Sequence, residues 1–99
     1  MRKVERLYGR STLLKEYISR IEEACGEGRD FIVILRYAKR EEAVKKILDK
    51  CKIERTFSKV MTMGKYKDKD ISVFITGKLI IKGLKGRKEA EEILEELLA

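Results

Sequence analysis

The sequence predicts a small α+β protein in which helices cover one face of an antiparallel sheet of about four strands. Two observations support this prediction. Extended apolar segments joined by short turns follow one another between residues 52 and 82, and the segments on either side repeat apolar residues at helical spacing. The 99 residues suffice for one domain, with residues 1–28 as an N-terminal arm and helix and residues 29–99 as the core.

The N-terminal third is predicted to hold an arm, a helix and a strand. Residues 1–10 are basic and favour an extended arm or a short strand. Ser11 or Thr12 can cap a helix, and the glycines at 26 and 28 can end it. Its apolar stripe would consist of Leu13, Leu14, Tyr17, Ile18, Ile21, Ala24 and Cys25. Residues 31–37 are apolar at nearly every position, which predicts a strand buried on both faces.

The remaining residues predict a helix, a meander of strands and a final helix. Residues 39–51 place five apolar residues on one stripe, so they form an amphipathic helix. Residues 52–66 are extended, and the polar residues 65–70 form a turn. Strands at 71–76 and 79–82 flank a turn at Gly77-Lys78. Gly86 caps the last helix, whose stripe consists of Ala90, Ile93, Leu94, Leu97 and Leu98.

Alternation along the last two strands predicts a second, unusual sheet face. One set of side chains would point at the helices: Ile71, Val73, Ile75, Leu79 and Ile81. The other set would point away from them: Ser72, Phe74, Thr76, Lys78, Ile80 and Lys82. Phe74 and Ile80 are large apolar residues on this second face, which indicates a binding surface.

Composition favours a polyanionic partner and offers no catalytic constellation. The chain holds 24 basic and 17 acidic residues, a net charge of +7, and residues 36–88 are its most basic part. With 41% charged residues and no proline, the composition is typical of thermophilic proteins. No general acid, base or nucleophile arrangement is present, so we expect a non-enzymatic protein.

No cofactor, metal or membrane segment is expected. Cys25 and Cys51 are 26 positions apart and the chain has no histidine, so both are predicted to be buried free thiols and not zinc ligands. The longest apolar run, residues 31–35, is too short for a signal sequence or a membrane span. We therefore expect the protein in the cytoplasm, where it could associate with the nucleoid.

The stretch from Val73 to Gly86, VFITGKLIIKGLKG, resembles the second hairpin of each half of the TATA-box-binding protein family. Phe74, Gly77, Lys78, Gly83 and Lys85 match outright. The family carries a second phenylalanine on the preceding strand, and Phe57 precedes Phe74 at the corresponding spacing. The resemblance covers residues 29–99. It implies a TBP-like half-saddle of order β-α-β-β-β-α that binds nucleic acid, with DNA favoured.

The resemblance implies a role for seven residues of the sheet. Phe57 and Phe74 would be wedges between base steps and Ile80 an apolar contact to the groove floor. Thr76 and Lys78 would contact phosphates, and Lys59 and Lys82 would extend the basic face. Two departures weaken base recognition: Lys82 stands where the family has a threonine, and Met63 where it has an arginine. Little sequence specificity is therefore expected.

Three alternatives stay open at this point. The N-terminal helix could cover the face that bears Phe57 and Phe74 and thereby close it to nucleic acid. A homodimer could form through the edge of the first strand and rebuild a symmetric saddle. The same face or edge could instead take a protein partner, using Phe74, Ile80, Met61 and Met63 as an adaptable apolar surface.

Overall fold

A computed structural model of the chain describes residues 13–24 and 29–99. Residues 13–17 are helical (α1). The strands are β1 (Ile18–Glu23), β2 (Phe31–Leu35), β3 (Lys52–Phe57), β4 (Met61–Tyr66), β5 (Lys69–Phe74) and β6 (Lys78–Lys82). The other helical elements are a 3-10 turn (Tyr37–Lys39), α2 (Arg40–Lys50) and α3 (Arg87–Leu98). No helix among these residues is long and apolar enough to cross a membrane.

The described strands form one antiparallel sheet in the order β1-β2-β6-β5-β4-β3. Strands β3 to β6 are a meander in which each strand pairs with the next. Strands β1 and β2 form a separate hairpin, and β2 joins it to the meander by pairing with β6. The α+β class is confirmed, but the sheet has six strands where about four were predicted.

The core lies between one face of this sheet and the helices α2 and α3. The strands contribute the buried residues Phe31, Val33, Leu35, Ile71, Val73, Leu79 and Ile81. Helix α3 contributes Ala90, Ile93, Leu94, Leu97 and Leu98, and α2 contributes Ala43 and Ile47. The apolar stripe predicted for the last helix is therefore confirmed. The prediction that Gly86 caps this helix is also confirmed: Gly86 is the N-cap residue, with a backbone φ of 150°.

Two lysines of α2 bind the C-terminal end of α3: Lys46 donates to the Leu98 oxygen at 3.3 Å, and Lys50 makes three such bonds. The Lys50 ammonium group donates hydrogen bonds to the backbone oxygens of Glu96, Leu97 and Ala99 at 2.9, 3.3 and 2.7 Å. Carbonyl groups in the last turn of a helix have no partner within the helix, and the negative end of its dipole attracts a cation. Lys50 satisfies both requirements and thereby fixes α3 against α2.

The predicted helix over residues 11–25 is wrong beyond residue 17. Residues 18–23 form β1, in which Ile18 lies opposite Leu35 and Ile21 lies opposite Val33. Isoleucines three positions apart normally face opposite sides of a strand. Here the register shifts between Ile18 and Arg20, so a bulge at Ser19 turns both isoleucines toward the core. A bulged strand thus imitates helical spacing. The predictions for residues 1–10 and the end of this helix at Gly26 and Gly28 lie outside the described residues.

The first predicted strand does not provide a free edge. Residues 31–35 pair with β1 on one side and with β6 on the other. The premise of a homodimer through this strand is therefore wrong, because β1 already occupies the edge. Residues 36 and 37 also leave the strand, and Tyr37 begins the 3-10 turn.

Two tight hairpins in the meander use residues that are unusual at such turns. Residues 58–60 join β3 to β4, and Lys67 and Asp68 join β4 to β5. Ser58, Lys59, Lys67 and Asp68 have positive φ angles between 46° and 67°. Positive φ at two central residues gives a turn whose twist matches antiparallel strands, normally built from Asn-Gly. Ser-Lys carries no such signature, which is why residues 52–66 were predicted as one extended segment.

The cysteine prediction is settled for one residue. Cys51 is a free thiol and is half-buried at the end of α2, and burial raises its pKa above the ordinary value. Cys25 lies outside the described residues.

Two isoleucines on the same hairpin test the position of the core. Ile71 is 1% exposed beneath the helices, whereas Ile75 is 57% exposed in the turn after β5, contrary to its predicted inward direction. Ile71→Ala should lower the free energy of unfolding by about 2–4 kcal/mol, because it leaves a cavity in the core. Ile75→Ala should lower it by less than about 1 kcal/mol. Urea unfolding measures both, and equal losses would contradict the burial.

Candidate nucleic-acid interface

The sheet face opposite the helices, called the open face below, consists of three rows of cross-strand neighbours. The register of the strands puts each row on one face. The first row runs Phe57, Met61, Phe74, Lys78, Ile34 and Arg20 across all six strands. The second row runs Arg55, Met63, Ser72, Ile80, Ile32 and Glu22. The third row runs Lys52, Lys65, Asp70 and Lys82.

The middle of the open face is apolar and partly exposed. Its apolar side chains come from four neighbouring strands: Ile32, Ile34, Met61, Met63, Phe74 and Ile80, with Phe57 on β3 at their end. Phe57 and Phe74 are separated by Met61 alone, so they are two strand spacings apart, roughly 10 Å. An antiparallel sheet with one covered face usually carries polar residues on the other. This continuous apolar strip is therefore unusual for a monomer.

Both phenylalanines of the open face lie beneath a cation. The Lys78 nitrogen is 5.6 Å from the centre of the Phe74 ring, and the Arg55 guanidinium carbon is 5.7 Å from that of Phe57. At these distances the ring quadrupole attracts the charge. The pairs therefore hold positive charge beside one exposed ring, Phe57, and one partly exposed ring, Phe74.

The open face carries a net positive charge, whereas helix α3 on the opposite side carries a net negative one. The three rows contain six cations, namely Arg20, Lys52, Arg55, Lys65, Lys78 and Lys82, and two acids, Glu22 and Asp70. Both acids lie near a cation of the same face: Glu22 is 3.0 Å from Arg20, and Asp70 is 3.8 Å from Lys65. Helix α3 on the opposite side carries five glutamates against one arginine and one lysine. The open face is thus the basic side of the sheet.

The described part of the N-terminal helix lies on the helix side of the sheet and leaves the open face uncovered. The Tyr17 hydroxyl donates a hydrogen bond to Glu42 of α2, and this bond holds the pKa of Glu42 below its usual range. Glu16 accepts a hydrogen bond of 3.3 Å from Lys39. Leu13 and Leu14 pack against the core. Residues 13–17 of the N-terminal helix therefore do not cover the face that bears Phe57 and Phe74.

The seven predicted site residues fall into two groups. Five belong to the open face: Phe57, Phe74, Lys78, Ile80 and Lys82. The other two lie in turns at one end of the sheet, Lys59 between β3 and β4 and Thr76 between β5 and β6. The two turns touch, since the Ile75 N–H donates to the Val60 oxygen at 3.0 Å. Thr76 and Lys59 thus lie at the border of the open face.

Sequence reasoning missed several members of the face. Arg20 was assigned to a helix, and Ile32 and Ile34 were assigned to a strand buried on both sides. Arg55 escaped notice because a bulge interrupts the alternation of β3 between Ile53 and Arg55. Lys52 and Lys65 carried no signal beyond their charge.

Comparisons with family models, curated proteins and solved structures find no match for this chain. The likeness to half of the TATA-box-binding saddle stays a prediction. Among the described residues, no group of three or more His, Cys, Asp or Glu side chains could hold a metal ion.

A cysteine placed at the centre of the open face tests its accessibility in the whole chain. Ser72 is partly exposed between Met63 and Ile80. In a background with Cys25→Ser and Cys51→Ala, Ser72→Cys should react with a thiol reagent within about tenfold of the rate of a free thiol. Val73→Cys, which points into the core, is the control and should react far more slowly. Equal protection at 72 and 73 would mean that residues outside the described ranges cover the face.

Proposed function

We propose that this chain is a nucleic-acid-binding module without catalytic activity, which binds duplex DNA through the open face with little sequence specificity. One observation carries the proposal. Phe57 and Phe74 lie on a basic sheet face that the described helices leave uncovered, each beneath a cation of the same face.

The cations suit the sugar-phosphate backbone. Lys78 and Lys82 lie four residues apart on β6, roughly 13 Å, and Lys52 and Arg55 line the β3 side of the apolar strip. No described acid lies within ion-pairing distance of these four side chains. Neutralising phosphates releases counterions from DNA, so each contact adds affinity that falls with salt.

The apolar strip could contact base pairs that have been unstacked in the minor groove. Phenylalanine side chains can wedge between base pairs of the minor groove, as the resemblance to a half-saddle implies for Phe57 and Phe74. Their separation of roughly 10 Å would place them at different steps. Met61 lies between them in the same row and would fill the intervening space.

Low specificity for DNA sequence follows from the absence of amide side chains that could bind base edges. Its 99 residues include no asparagine and no glutamine, the amides that bind adenine with two hydrogen bonds. Readout would rest on the cost of deforming the duplex, which varies with sequence at positions that are not contacted.

Binding to a fluorescein-labelled duplex, measured by anisotropy over a series of salt concentrations, tests the proposal. Phe74→Ala should weaken affinity by about 5- to 100-fold through lost stacking. Lys78→Ala should weaken it less and should reduce the salt slope by about 1, because one phosphate contact is lost. Lys88→Ala, an exposed lysine of α3 on the helix side, is the control and should bind as the parent does. The proposal fails if Phe74→Ala binds like Lys88→Ala.

A second candidate function rests on the same strip. Ile80, Met61 and Met63 form an adaptable apolar surface that could take a protein segment, with no nucleic acid bound. In that case the parent would show no duplex or single-strand binding at low salt. A partner retained after nuclease treatment would be lost with Phe74→Ala.

A further inference from the structure

The outermost strand β3 is the most exposed element of the sheet. All six of its residues are exposed, and no described residue pairs with its outer edge. Large hydrophobic side chains are also exposed around it: Ile53 and Phe57 in the strand, Val60 in the turn that follows and Ile75 next to that turn. The described helices leave this flank bare on the helix side as well. An unpaired edge next to exposed apolar residues is a typical site for strand addition.

A bulge gives β3 an unusual arrangement of side chains. Lys52 lies opposite Lys65 and Phe57 opposite Met61, so both point to the open face, although an odd number of positions separates them. The extra residue that permits this lies between Ile53 and Arg55. Glu54 and Arg55 line one shallow pocket of 230 Å³ with Met63, which belongs to the open face. Ile53 and Thr56 point to the helix side, opposite Gly64 and Thr62.

This arrangement makes the edge complementary to itself. If two copies of β3 pair antiparallel about a two-fold axis between residues 54 and 55, Lys52 meets Phe57, Ile53 meets Thr56 and Glu54 meets Arg55. In every one of these pairs both side chains lie on the same face, as strand pairing requires. Without the bulge, Lys52 and Phe57 would point to opposite faces and the pairing would fail.

We propose that the chain forms a homodimer through β3, in which the two edge strands pair antiparallel with Glu54 opposite Arg55 of the second copy. The charge order selects the partner. A strand that presents Glu-Arg in one direction meets Arg-Glu in an antiparallel copy of itself, so both charge pairs are attractive. Lys52 over Phe57 of the second copy adds a cation near a ring at each end of the interface.

The dimer would cover the bare flank and extend the open face. The two-fold axis is perpendicular to the sheet, so both open faces lie on the same side of one twelve-stranded sheet. Ile53, which is 46% exposed, would pack beside Thr56 of the second copy. This assembly does not require the proposed DNA binding, and the two are tested separately.

Charge reversal at the centre of the strand tests the pairing. Glu54→Arg places two arginines against two arginines across the axis, and Arg55→Glu places acids against acids. Each variant should dimerise at least about tenfold more weakly than the parent, measured by sedimentation equilibrium, because two attractive contacts become repulsive. Mixing the two variants in equal amounts restores Arg opposite Glu at both pairs. The mixture should therefore form a one-to-one dimer with an affinity within about threefold of the parent.

The control is Glu22→Arg on β1, the other edge strand, which makes the same change of charge on an exposed residue. It should dimerise as the parent does. Circular dichroism establishes that each variant is folded, which is expected because residues 54 and 55 are exposed. A parent that stays monomeric up to millimolar concentration overturns the proposal. Variants that dimerise like the parent, or that fail to pair when mixed, overturn it equally.

Discussion

The pairing of β2 with β6 holds the two halves of the sheet together. It joins the N-terminal hairpin to the C-terminal meander through four register pairs, from Phe31 opposite Ile81 to Ile34 opposite Lys78. Because side chains alternate along a strand, this register alone decides which residues face the helices and which face away. A slip by one residue would bury Lys78 and expose Leu79. The core and the open face are thus two results of the same alignment.

The helices reinforce this alignment from one side only. Phe31, Val33, Leu79 and Ile81 bury beneath α2 and α3, and Lys50 fixes the ends of the two helices to each other. With the α1 residues docked by Tyr17 onto α2, the described helices all lie on this side. The opposite side is left as a broad surface, which carries apolar side chains in its middle and cations around them. Exposed apolar surface of this kind commonly marks a site of interaction.

Two bulges have opposite consequences at the two edges of the sheet. At β1 the bulge near Ser19 turns Ile18 and Ile21 inward, so this edge strand packs onto the core. At β3, whose six residues are all exposed, the bulge near Glu54 brings Lys52 and Phe57 to one face. Bulges commonly protect edges by disrupting the outer hydrogen-bonding row. In the proposed β3 dimer the bulge is present in both strands, so that residues opposite each other lie on the same face of the joined sheet.

The sequence by itself determined the class of the fold, the two later helices and the inward residues of β5 and β6. These features depend on local periodicity: α3 repeats five buried residues at helical spacing, and Ile71, Val73, Leu79 and Ile81 alternate without interruption. It also predicted that Phe74, Lys78, Ile80 and Lys82 lie on the face opposite the helices, because their strands follow that alternation. Phe57 was predicted on the same face from the family resemblance alone.

Only the tertiary structure decided the number of strands, the place of residues 18–23 and the membership of Arg20, Ile32, Ile34 and Arg55 in the open face. A bulge breaks the period by which a strand is recognised, and Ser58-Lys59 forms a tight turn without a turn signature. Such features become favourable because neighbouring strands pair with them. That benefit depends on residues distant in the chain, and no local pattern records it.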